Sequence, residues 1–157
     1  MHACRLISIA AAISLSLPLL PAADPFTCPV THPIASDSPE PFPGMHGIWF
    51  GTEKLWTLIE RGRWMSERHT DQGYRQPKIV WFSSVYDWKE GVHPPLTITG
   101  RRLDGASEPL IFHGANNAFI SGKGPFITSS VTLPSLGCWQ ITAQYKDQGI
   151  AFVVNVR

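Results

Sequence analysis

The chain has 157 residues, with 13 Lys plus Arg against 12 Asp plus Glu, 43% hydrophobic residues and three cysteines. So even a balance, without a cluster of Lys and Arg, excludes a protein that recognises nucleic acid or an anionic membrane by charge. The length suits one domain with a core of its own.

Met1 to Arg5 carry one positive charge, and Leu6 to Leu20 then run without any. A basic start, an apolar stretch of about fifteen residues and a small-residue exit at Pro21-Ala22-Ala23 form the pattern of a signal peptide. The stretch is short for a spanning helix, and Pro18 and Pro21 break its end. The sequence therefore predicts a signal peptide over 1–23, cut after Ala22 or Ala23, and export to a periplasmic or extracellular space. Cleavage would remove Arg5 and no acidic residue, leaving 12 basic and 12 acidic side chains.

Residues 24–44 hold six prolines and no periodic apolar pattern. Proline fixes φ and lacks a backbone donor, so this stretch is predicted to be an extended tether to a domain over 45–157. Cys4 leaves with the signal, so an oxidising compartment finds only Cys28 and Cys138. The pair predicts one disulfide, pinning the tether across the end of the domain.

From Met45 onward, runs of strand length alternate with turn residues every 8–12 residues or so, the mark of an antiparallel sandwich or barrel with few helices. The predicted strands are Gly47–Phe50, Leu55–Glu60, Arg63–Met65, Ile79–Val85, Leu96–Leu103, Leu110–His113, Ala118–Ile120, Ser130–Leu133, Trp139–Tyr145 and Ile150–Val156. A helix over Thr52–Ile59 is the local rival, since Leu55, Trp56 and Ile59 also share a helical face. Ser66–Lys78 reads as a long loop, the place where a rigid scaffold commonly carries function. In the last hairpin, Trp139, Ile141, Ala143 and Tyr145 fall on one face and Ile150, Phe152, Val154 and Val156 continue it after a Lys146–Gly149 turn. Cys138 falls on the less apolar side, a rim position rather than the core cysteine of an antibody domain.

Six tryptophans are the most distinctive content. Trp49, Trp81 and Trp139 sit in apolar runs and are expected in the core. Trp64 and Trp88 sit among Arg61, Arg63, Glu67, Arg68, Asp87, Lys89 and Glu90, where exposed rings are expected. With Arg68 and Tyr74 they make a candidate platform for a protein, peptide or glycan. The alternative site is metal-binding: a sandwich could gather His46, His93 and His113 at one rim, although no two histidines lie at i, i+2 or i, i+4. A small hydrolase is the remaining alternative, but no Gly-x-Ser-x-Gly elbow occurs. Gly122-Lys123-Gly124 lacks the rest of a phosphate loop and is followed by Pro125, and Lys146-Asp147-Gln148-Gly149 is a turn rather than a calcium loop. Nothing calls for a cofactor.

Arg101-Arg102-Leu103-Asp104-Gly105, Leu133-Pro134, Gly137-Cys138-Trp139 and Phe152-Val153-Val154 together resemble a family of small exported bacterial proteins without an assigned activity. Cys28-Pro29-Val30, His46-Gly47 and Leu55-Trp56 extend the resemblance over most of the mature chain. Gln140 departs from it, standing where the family has an acidic residue. The resemblance implies an immunoglobulin-like β-sandwich and nothing about substrate. The expected protein is thus a monomeric, exported, mainly β, non-catalytic binding module that touches neither nucleic acid nor, once processed, a membrane.

Overall fold

A computed structural model describes residues 26–33, 49–52, 54–58, 68–122 and 124–157, with the backbone alone at 68–70, 75 and 77. The predicted signal peptide, most of the tether, the strand expected at Arg63–Met65, Trp64 and His46 lie outside the described residues.

Among the described residues, nine strands pair antiparallel in two sheets: β1 (Trp49–Gly51), β2 (Leu55–Leu58), β3 (Arg68–Thr70), β4 (Gly73–Ser83), β5 (Leu96–Arg102), β6 (Ile111–Ile120), β7 (Gly124–Leu133), β8 (Gly137–Tyr145) and β9 (Gln148–Val156). One sheet has the order β1-β2-β4-β7-β6, with β3 on β4, and the other β5-β8-β9. The two pack face to face as a β-sandwich. Helical structure among the described residues is one 3-10 turn, Trp88–Glu90, capped by Asp87, whose Oδ1 accepts from Lys89 N at 2.9 Å. Leu55–Leu58 is a strand, not the helical rival, because pairing with β4 sends Leu55 and Thr57 into the core and Trp56 to the other face.

Period-two burial builds the core. Trp139, Ile141, Ala143 and Tyr145 on β8 are fully buried, and Ile150, Phe152, Val154 and Val156 on β9 join them. Leu96 and Ile98 of β5 and Ile79, Trp81, Ile127, Val131 and Leu133 of β4 and β7 close the same cluster from both sheets. The two indole N–H groups buried there find acceptors: Trp81 Nε1 donates to Ser129 Oγ at 2.8 Å and Trp139 Nε1 to the Ser135 carbonyl at 3.0 Å. A second apolar cluster, Trp49, Phe82 and Phe126 with Trp56, Leu58, Val80 and Ala118, forms on the opposite face of the larger sheet. Alternation forces this: Phe82 follows Trp81 on one strand, so the rings cannot share a face. Trp49 is buried as expected, but in this second cluster.

The long loop expected at Ser66–Lys78 is a correction. Residues 68–83 are a β-hairpin, β3 and β4 joined through Asp71-Gln72, with Thr70 paired to Gly73. Gly73 has φ +128°, and a Cβ there would meet the Leu133 carbonyl oxygen at 2.2 Å, so the hairpin needs a glycine at this position. Pro77 lies in a bulge between Gln76 and Ile79 where no ladder bond is required of it. The separate strands expected at Leu110–His113 and Ala118–Ile120 are one strand, β6, bulged between Phe112 and Ala115.

Cys28 and Cys138 form the disulfide, with Cα atoms 5.6 Å apart. The tether then runs to the free edge of β9, where Thr31 N donates to the Val153 carbonyl at 2.8 Å and Val153 N donates to Thr31 Oγ1 at 2.9 Å. The strap satisfies backbone groups that an uncovered edge strand would offer to another chain. It also explains why Cys138, on the outer side of its sheet, is only 1% exposed.

Beside the disulfide, Asp104 Oδ2 accepts from Cys138 N at 3.0 Å and Oδ1 pairs with Arg102 Nε at 2.6 Å. The Arg102 hydrogen bond, aided by the Cys138 N–H, holds the Asp104 carboxyl below its ordinary 3.8. A carboxylate with a depressed folded pKa stabilises the fold above its unfolded value and loses that contribution as pH falls through the folded one. Wild type should therefore lose stability more steeply than Asp104→Asn as pH drops below about 4, which urea melts across pH 2–6 would read. Parallel pH profiles would refute the role given to this carboxylate.

Candidate functional site

The connection from β4 to β5, residues 84–95, crosses one end of the sandwich and is fastened there on two sides. The Val92 carbonyl accepts from Asn117 N at 3.0 Å and the Gly91 carbonyl from Asn117 Nδ2 at 3.5 Å, tying it to β6. Lys146, in the β8–β9 turn, reaches the Val85 carbonyl at 3.3 Å and Glu90 Oε1 at 2.8 Å, tying it to the other sheet. The Glu90 hydrogen bond raises the Lys146 pKa above its ordinary 10.5, so the ammonium stays charged at neutral pH. Lys146 takes φ 53°, the left-handed conformation of a two-residue hairpin turn, and its Nζ lies 5.4 Å from the Tyr145 ring centre. Tyr86 packs edge-on against Tyr145 at 6.1 Å below the loop.

This fastened end collects exposed apolar side chains. Among the described residues, eight large hydrophobic side chains are exposed, and Val85, Trp88, Val92, Phe119 and Ile120 lie here. Trp88 is 51% exposed, Val92 61% and Phe119 65%. Phe119 and Ile120 close β6, two and three residues beyond the Asn117 that holds the loop. The remaining three belong elsewhere: Phe26 on the tether, Ile111 at the far end of β6 and Leu136 in the β7–β8 turn.

The platform expected from Trp64, Trp88, Arg68 and Tyr74 is not assembled among the described residues. Tyr74 is near the start of β4 and Trp88 lies beyond its other end at Ser83, so the strand between, roughly 30 Å at about 3.3 Å per residue from Tyr74, separates them. Arg68, on β3 opposite Arg75, belongs to the Tyr74 end. Trp64 lies outside the described residues. The sequence did hold a signal for the side chains that replace them: Phe119 and Ile120 are adjacent at the end of a strand, and alternation keeps the core from covering both.

The metal alternative fares as follows. His93 Nδ1 donates to the Ala115 carbonyl at 3.3 Å, and His113 Nε2 lies 2.7 Å from Thr132 Oγ1. His46 is outside the described residues, and among those described no three His, Cys, Asp or Glu side chains could hold one metal ion. No described helix is long and apolar enough to cross a membrane. Comparison with known proteins finds no family model, no curated protein and no solved structure that matches this chain.

Proposed function

We propose that the protein is an exported, non-catalytic β-sandwich that binds an apolar segment of a partner protein through the Trp88 end. The observation that carries this reading is the gathering of Val85, Trp88, Val92, Phe119 and Ile120 around a loop held in place by Asn117 and Lys146. Exposed apolar patches on a rigid frame mark interaction surfaces, and aromatic residues dominate the energetics of such centres. Aliphatic Val85, Val92 and Ile120 favour a protein segment over a glycan, because sugars need planar rings and hydrogen-bonding groups more than branched aliphatic surface. Charged Asp87, Lys89, Glu90 and Lys146 surround the patch with both signs, the polar rim of an interface.

The strand order supports an immunoglobulin-like reading. Taking β2, β4, β5, β6, β7, β8 and β9 as A to G places A-B-E-D against C-F-G, the arrangement of constant-type domains. The 84–95 connection and the β8–β9 turn then take the places of the B–C and F–G loops, which bind antigen at one end of antibody variable domains. The disulfide departs from that pattern, since Cys138 bonds to the tether instead of crossing the core. Export fits both the disulfide and the leader-like start.

Selection of random linear peptides on the oxidised protein tests the reading. Enriched peptides should carry aromatic or aliphatic anchors, and Trp88→Ala with Phe119→Ala should weaken them about tenfold or more, as expected for central interface residues. Ile111→Ala, at the opposite end, should leave affinity unchanged. Peptides that bind the double variant as well as wild type would end the proposal.

A further inference from the structure

The outer face of the larger sheet carries a second feature, away from the Trp88 end. Two bulges interrupt the ladders on either side of β7 at the same place. On β4 the pairing jumps from Gln76↔Val131 to Ile79↔Ser129, and on β6 from Phe112↔Val131 to Ala115↔Ser129. Pro77-Lys78 and His113-Gly114 therefore both stand opposite the single residue Ser130. One bulge relieves local strain or re-aims a side chain; two facing bulges open the sheet surface symmetrically about one residue. The result is a cleft of about 330 Å³ lined by Lys78, His113, Gly114, Asn116 and the Thr128-Ser129-Ser130 run of β7. Among the described residues, no carboxylate lines it.

The lining brings together one ammonium, an imidazole, a carboxamide and the hydroxyls of Thr128 and Ser130, while Ser129 Oγ is taken by the Trp81 indole. Gly114, at φ +89°, has open space where a Cβ would stand, leaving the backbone approachable. A phosphate dianion would be better served by several cations or a nest of backbone N–H groups. A ligand with many hydroxyls and one negative charge uses what is present, and the cleft is at the small end of ligand sites. We propose that the paired bulges around Ser130 form a subsite for an acidic sugar of the uronate class, its carboxylate on Lys78 and its hydroxyls on Asn116, Thr128 and Ser130.

Titration of the isotope-labelled, oxidised protein with glucuronate, glucose and inorganic phosphate, followed by amide NMR, tests this. Glucuronate should move the signals of Gly114, Asn116 and Ser130 saturably in the millimolar range. Glucose, and glucuronate on Lys78→Met, should each bind about tenfold more weakly, the loss of one charge-assisted hydrogen bond. Lys78 and Asn116 are exposed, so Asn116→Ala serves as a second variant, and unchanged melting temperatures separate lost binding from lost fold. The subsite is overturned if glucuronate moves none of these signals, if Lys78→Met binds it as wild type does, or if phosphate binds as tightly as glucuronate.

Discussion

Reducing the Cys28–Cys138 disulfide should lower the stability of the domain by about 4–5 kcal/mol, the loop-closure entropy of a bridge between cysteines 110 residues apart. Against total stabilities of about 5–15 kcal/mol, that is a large share, equivalent to a melting temperature lower by on the order of 15 °C. Cys28→Ala and Cys138→Ala should each reproduce the loss, and reductant should then have no further effect on either variant. The native state contributes as well, since a released tether would give up the Thr31–Val153 bonds and open the β9 edge. Denaturant melts with and without reductant decide the matter. A change under about 1 kcal/mol would overturn this account: it would mean that the reduced unfolded chain is already about as restricted as the bridged one and that the strap stays docked without its covalent link.

Trp81→Ala should cost about 3–5 kcal/mol and Trp88→Ala no more than about 0.5 kcal/mol, although both residues are tryptophans seven positions apart. Trp81 is fully buried between the sheets, 6.3 Å from Phe152 between ring centres, while Trp88 is half exposed on a loop. Part of the Trp81 effect is polar. Ser129→Ala should cost about 1–3 kcal/mol by stranding the Trp81 N–H in the core. In a Trp81→Phe background, which has no such donor, the same serine substitution should cost little, and a double-mutant cycle measures the difference. Equal losses for Trp81→Ala and Trp88→Ala would overturn the division of the tryptophans into core and surface that the binding proposal requires.

Much of the fold is legible residue by residue. The β8–β9 hairpin can be read from alternation because each buried residue is apolar and the outward residues of β8 are mostly polar, so period and burial agree. The same logic fails on β3–β4, where His69, Tyr74, Arg75 and Gln76 look like loop and form a ladder. Their pairing rests on the Asp71-Gln72 turn and on β7 behind them, a partner more than 50 residues away in the chain. The candidate surfaces follow the same division. Trp88 stands out as a ring among charges, but its neighbours Phe119 and Ile120 come from a strand the chain reaches some 30 residues later.

By itself the sequence determined that the chain makes strands, that Cys28 and Cys138 are a pair for one bridge, and which faces of β8 and β9 are buried, because these depend on local periodicity and residue chemistry. The tertiary structure decided which strands neighbour one another, that the larger sheet has apolar side chains on both faces, and that two bulges meet at Ser130. Those outcomes depend on pairing between distant segments, where a shift of one residue exchanges the faces of a strand. No stretch of sequence carries the register of its partner.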